Sequence, residues 1–227
     1  MIKKNFLIFN IVFIFLFLCA CGKKEESKKL AQTYYKLALL ETDEQNNKKG
    51  LKKSLDYINK AITKEERPEY LALKGTLLLQ LNQEKEGLDC FDTALQNNPD
   101  PKIKADILNN KACLLAQLGI MNNSQDKIDQ AIKIWAELQC DKDYLTPEVA
   151  HFNIGKVYVH QKNYKKAQQQ LSKAVTVSPN YLDAHYCLAC VAYQLNDLSL
   201  ARNEISTVLF LEPDHQSAKE LSNMLQK

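Results

Sequence analysis

Cys187 and Cys190, in Cys187-Leu188-Ala189-Cys190, have the spacing used for thiol–disulfide chemistry. That chemistry needs a thiolate, which proteins create at a helix N-terminus or beside positive charge. Here the pair lies inside a run of helical periodicity with no strand before it. Two small, half-buried helix residues are expected, with a disulfide as the alternative. Cys90, Cys113 and Cys140 bring the cysteines beyond Cys19 and Cys21 to five, an odd number that does not read as a disulfide framework. Of these, Cys140 is expected to be the most accessible. No second Cys or His pair stands at zinc spacing, so no metal and no cofactor is expected. Of the four histidines, His151 and His185 fall at packing positions, joined by His160 and His215 elsewhere. There is no glycine-rich phosphate loop, nucleophile elbow or His-Glu-x-x-His. Glu65-Glu66 falls at a helix end, where solvation accounts for it. The expectation is a protein without catalysis and without a small-molecule substrate.

The formal charge is +3, with acids and bases interleaved and no basic stripe suited to nucleic acid. Lys48-Lys49 and Lys52-Lys53 read as solvated helix faces.

The elements that carry these residues announce themselves by repetition. Pro179 and Pro213 are 34 residues apart. The residues before them match in register: His151, Ile154, Gly155, Tyr158, Ala167, Leu171 and Ala174 against His185, Leu188, Ala189, Ala192, Ala201, Ile205 and Val208. The first four of each series form one helical stripe and the last three another. Gly155 and Ala189 fall where two helices must cross closely, and each proline stops the second helix. This resembles the tetratricopeptide repeat, a helix–turn–helix unit of about 34 residues that stacks because one pair cannot bury both stripes. Leu71, Gly75, Leu78, Gly87, Phe91 and Ala94, between Pro68 and Pro99, give another copy. Residues 102–146 hold a longer one, with its first helix ending near Gly119 and a loop insertion expected at Ile120–Gln125. Leu30–Leu40 and Leu51–Ile62 supply a first pair, and Gln216–Leu225 a capping helix. The expected fold is an all-α tetratricopeptide-repeat solenoid of five repeats and a cap over residues 30–227.

The N-terminus reads as an address. Lys3-Lys4 precede the apolar run Phe6–Leu18, which is short for a bilayer span, and Leu18-Cys19-Ala20-Cys21 follows. This resembles the bacterial lipobox. The resemblance implies a signal peptide at residues 1–20, cleavage before Cys21, lipid on Cys21 and a polar tether over 21–29. Gly22, in place of Asp, implies an outer-membrane lipoprotein facing the periplasm; in a Gram-positive cell the same signal implies the outer face of the cell membrane.

Positions 2, 5, 9, 12 and 13 of each first helix line the inner groove in the tetratricopeptide family. By resemblance that places Leu79, Asn109, Cys113, Phe152, Lys156, Val159, Tyr186 and Tyr193 there. The face is apolar and aromatic with amides and one lysine, and suits an apolar segment of a protein partner. Phe152, Tyr186 and Tyr193 are its candidate anchors, unless they pack between neighbouring helices instead. Leu108-Asn109-Asn110, Cys113-Leu114-Leu115, the turn Asp143–Pro147 and Ala201-Arg202, together with the lipobox, resemble the PilF/PilW family of type IV pilus pilotin lipoproteins. The resemblance implies an assembly factor that binds a secretin subunit and promotes its outer-membrane localisation and multimerisation. The alternative is a general lipoprotein scaffold for outer-membrane protein assembly or for docking cell-wall enzymes.

Overall fold

The computed structural model describes residues 24–42 and 48–226. The signal peptide expected at residues 1–20, and Cys21, lie outside the described residues. Among those described the chain is entirely helical, with no strand. It forms two compact units, up to Pro99 and from Asp100 onward.

In the first unit, α1 (24–42) pairs with α2 (Lys48–Lys64), and α3 (Pro68–Gln80) with α4 (Glu84–Gln96). Residues 24–29, where a tether was expected, are the opening turns of α1. The Ser27 hydroxyl there donates to the Lys64 carbonyl at the far end of α2, 3.1 Å away. The pair closes on Ala31, Ala38, Leu51, Ile58 and Ala61, which meet Tyr70 and Leu77 of α3. Ser54 is fully buried but satisfied, donating to the Ala38 carbonyl at 2.7 Å, as a buried hydroxyl must be.

The second unit comprises α5 (Pro101–Met121), α6 (Gln125–Leu138), α7 (Pro147–His160), α8 (Tyr164–Val177), α9 (Leu182–Gln194), α10 (Leu198–Leu211) and α11 (Gln216–Leu225). Pro68, Pro101 and Pro147 stand in the first turn of α3, α5 and α7, where the missing N–H has no intrahelical partner to lose. Pro179 and Pro213 follow the ends of α8 and α10, as the repeat pattern requires.

One turn recurs between the two helices of the later pairs. Asn82, Asn123, Lys162 and Asn196 have φ of 58°, 52°, 57° and 59°. The next residue in each case donates its N–H five residues back: Gln83 to Leu78, Ser124 to Gly119 and Asn163 to Tyr158 at 2.8 Å, and Asp197 to Ala192 at 2.9 Å. This is a left-handed helix stop that satisfies the last carbonyls. Asn163 and Asp197 then cap the following helix, accepting from the N–H of Lys166 and Leu200 at 3.3 and 3.1 Å.

That turn corrects the reading of the long third pair. There is no inserted loop at Ile120–Gln125. Helix α5 runs on to Met121 and the turn is as short as the others. The extra length is in α5 itself, which has 21 residues against 13 in α3 and α9. Counting from the turn, Ala116 rather than Ala112 is the counterpart of Gly75, Gly155 and Ala189, a shift of about one helical turn. The small residue five after the turn (Gly87, Ala167, Ala201) becomes Ile128 in this pair. Gly119 makes room for it, since a Cβ there would stand 2.6 Å from Ile128 Cγ1.

Helix α11 closes the last pair. Ala218, Leu221 and Leu225 pack on Ala189, Ala192, Ala201, Ile205 and Val208. Both its ends are tied. His215 Nδ1 accepts from the Ala218 N–H at 3.1 Å, and Arg202 donates to the Leu225 carbonyl at 2.8 and 3.2 Å.

Candidate functional site

The first helices of the last three pairs, α5, α7 and α9, carry two clefts. The first, about 430 Å³, lies between α5 and α7 and is lined by Cys113, Gln117, Ile120 and Met121 on one side and Asn153, Lys156 and His160 on the other, with Trp135 also at its wall. The second, about 250 Å³, lies between α7 and α9 and is lined by Val159, Tyr164, Cys187, Cys190, Val191 and Gln194. Helix α7 serves both, so its side chains at 153, 156, 157 and 160 face one cleft and Val159 the other.

The expected groove residues are distributed unevenly. Cys113, Lys156 and Val159 line the clefts as expected. Tyr193 is 38% exposed and open to solvent. Tyr186 is half-buried, with its ring 4.9 Å from that of His215. Phe152 is not an exposed anchor: only 8% of it is accessible. Its ring lies 4.9 Å from Tyr181, and the Lys156 ammonium is 5.2 Å from its centroid. Phe152 thus sets the position of Lys156 by a cation–π contact and does not itself present a face. Asn109 does not line either cleft, because it accepts the Trp135 indole N–H at 3.0 Å; the one-turn shift in α5 removes it from the inner face. The same shift brings in Ile120 and Met121, which the sequence reading passed over. The recurring Asn after the helix stop was the signal that could have fixed the register. Leu79 belongs to the first unit, half-buried on α3.

Electrostatically the clefts are quiet. Among their lining residues Lys156 alone carries a fixed charge, and no carboxylate is present. Asn153 donates toward Cys113 Sγ at 3.6 Å. Burial pushes the Cys113 thiol up to about 11, against the opposing pull of the Lys156 ammonium. Cys187 is pushed to about 11, first by burial and then by neighbouring Cys190, whose own thiol burial also raises. Both are unpaired and lie in the body of α9. This is the opposite of thiolate activation: the pair is protonated and weakly nucleophilic at neutral pH. Cys140, in contrast, is exposed.

The histidines are held by the fold. His185 is 7% exposed, with Nδ1 against Glu204 Oε2 and Nε2 at 2.9 Å from the Pro179 carbonyl. His151 makes the matching bond one repeat earlier, to Gln170 Oε1 at 2.9 Å. Among the described residues no cluster of three or more His, Cys, Asp or Glu could hold a metal ion.

The family model for the tetratricopeptide repeat matches residues 158–225. The fold is a tetratricopeptide-repeat α-solenoid. A curated relative, TPR repeat-containing protein MJ1428 of Methanocaldococcus jannaschii, is 23% identical over 86% of this chain. The chain spans 39% of that relative's length. Among solved tetratricopeptide structures, PilF of Pseudomonas aeruginosa superposes with a TM-score of 0.70 at 17% identity, covering 89% of this chain and 84% of PilF. PilW, described as a widely conserved type IV pilus biogenesis factor, gives 0.65 at 18% identity over 86% of this chain and 92% of PilW. TTC0263 of Thermus thermophilus gives 0.64 at 16% identity over 86% and 98%. These likenesses establish the fold. Tetratricopeptide domains are protein-interaction scaffolds, and the clefts of α5, α7 and α9 are where this one offers apolar surface on its first helices.

Proposed function

We propose that the chain is an envelope-anchored assembly factor that holds a protein partner in the paired clefts of α5, α7 and α9. The observation that carries this reading is the clefts' make-up. Two adjoining hollows with apolar walls, amide rims and a single ammonium fit an extended or amphipathic segment whose apolar side chains enter the hollows. An acidic group of that segment would meet Lys156, which no carboxylate of the cleft neutralises.

The partner we propose is a secretin subunit, with this protein acting as a type IV pilus pilotin at the periplasmic face of the outer membrane. The Leu-x-Ala-Cys sequence ending at Cys21 supports a lipid anchor, and the likeness to PilF and PilW supports the pilus assignment. The mechanism then needs no bond-making step. Tethering the scaffold to the membrane raises the effective concentration of whatever it binds there.

The test is a pull-down from detergent-solubilised envelopes with the full chain and with Cys21→Ala. A secretin subunit retained by both, forming heat-resistant multimers in the outer membrane only with the first, is the expected result. Recovery of outer-membrane assembly factors or cell-wall enzymes in its place would contradict the pilotin assignment.

A further inference from the structure

The charge of the chain is polarised in a way its total conceals. Residues 24–64 carry ten lysines against six acids, whereas residues 65–227 carry seventeen basic against twenty-one acidic residues. The excess sits on the α1–α2 hairpin. The buried stripe of α2 is Gly50, Leu51, Ser54, Ile58 and Ala61, so helical geometry places Lys49, Lys52 and Lys60 on the opposite face; Lys60 pairs with Asp56 at 2.7 Å, and Lys53 reaches back to Glu41 of α1. Tyr34 and Tyr57 lie ring on ring at 6.4 Å across the hairpin, and the Lys53 and Lys60 ammonium groups stand 6.0 and 5.5 Å from the Tyr57 centroid.

The hairpin also exposes apolar surface. A terminal repeat needs a polar outer face, yet Leu30, Leu39 and Leu40 of α1 are 38%, 38% and 54% exposed. Lysines, half-buried tyrosines and protruding leucines on one amphipathic hairpin are the composition of an element that rests on a headgroup layer. Chain connectivity points the same way, since α1 is helical from residue 24, three residues after Cys21. Three residues reach at most about 10 Å.

We propose that the α1–α2 hairpin is a second membrane-contact surface, laying its lysines on anionic lipid headgroups. This rests on the lipid-anchor reading above. The acyl chains would supply attachment to any bilayer, and the hairpin would supply orientation on an anionic one.

The test is lysine acetylation footprinting of the full chain, bound to vesicles of phosphatidylcholine alone or mixed with phosphatidylglycerol. The expected result is severalfold protection of Lys36, exposed on α1, and of Lys48, Lys52 and Lys60, exposed on α2, on the anionic vesicles only, relative to Lys165, Lys166 and Lys173, abolished by high salt. Substituting those four with Gln should weaken partition onto anionic vesicles by about 100-fold or more. Equal protection on both vesicle types would overturn the proposal. So would protection that appears without vesicles and grows with protein concentration, which would indicate contact between copies or with another acidic surface. Sedimentation with neutral vesicles reads the anchor separately: its failure would remove the lipid anchor without altering the anionic-lipid comparison.

Discussion

Gly155 and Leu171 are packed so closely that a Cβ on residue 155 would stand 2.8 Å from Leu171 Cγ and 2.9 Å from its Cδ2. Leu171 is fully buried, so it cannot swing into solvent to make room. Gly155→Ala sets a gain in helix propensity of roughly 0.5–1 kcal/mol against overpacking of about 1–3 kcal/mol. Overpacking should win. A net loss of about 1–2 kcal/mol is expected from urea unfolding, and the double substitution Gly155→Ala, Leu171→Ala should show strong non-additivity.

Lys162 occupies the left-handed position that Asn holds in the turns at 82, 123 and 196. A side chain branching from a non-Gly, non-Asn backbone there is strained by roughly 1–2 kcal/mol. Lys162→Asn and Lys162→Gly should therefore raise stability by about 0.5–1 kcal/mol. Thermal unfolding of the two variants against the parent checks this.

The thiols give a pH signature. Cys113 and Cys187 are raised from 9.0 to about 11, and Tyr181 from 10.0 to about 12. The folded state holds these protons more tightly than the unfolded chain. Their contribution is thus complete below about pH 9 and is lost as pH rises through about 11, and beyond that for Tyr181. The effect should be on the order of 1–2 kcal/mol per thiol. Urea midpoints should fall between pH 8 and 11, and less so in Cys113→Ala, Cys187→Ala. Mapped alkylation at neutral pH should modify Cys140 well before Cys113, Cys187 or Cys190.

His185 and Glu204 form a partly buried pair linking α9 to α10, with side chains 9% and 14% exposed. Removing either partner leaves the other without its charged or hydrogen-bonded contact. Glu204→Ala and His185→Ala should each cost about 1.5–3 kcal/mol. A double-mutant cycle should return a coupling of about 1 kcal/mol or more.

Much of this was legible in the sequence because the repeat encodes its own packing. Pro179, Pro213, Gly155 and Ala189 locate helix ends and crossings by spacing alone, and the cap at α11 followed from an open apolar face. The third pair was misread because Asn122-Asn123-Ser124 is a turn signal that looked like part of an insertion. The compensating exchange of Gly119 for a small residue at 128 is a three-dimensional relation with no signature along the chain. The one-turn error carried Asn109 into the predicted groove and left Ile120 and Met121 out. For Phe152 the sequence left two readings open, anchor or packing, and the structure gives packing: an aromatic on an inner helix face can be covered by a neighbour such as Tyr181, and only tertiary contacts decide. The polarity of charge between residues 24–64 and the remainder was visible in the sequence but hidden in a net of +3.

The central claim is that the clefts of α5, α7 and α9 hold a protein segment. Photo-crosslinking in the cell tests it most directly, with a benzoylphenylalanine at Met121, which lines the first cleft, or at solvent-exposed Tyr193 of α9, and at exposed Val177 of α8 as control. The account predicts one and the same adduct from 121 and 193, identified as a secretin subunit, and none from 177. Adducts from 177 equal to those from 121 and 193, or none from the cleft positions, would contradict it.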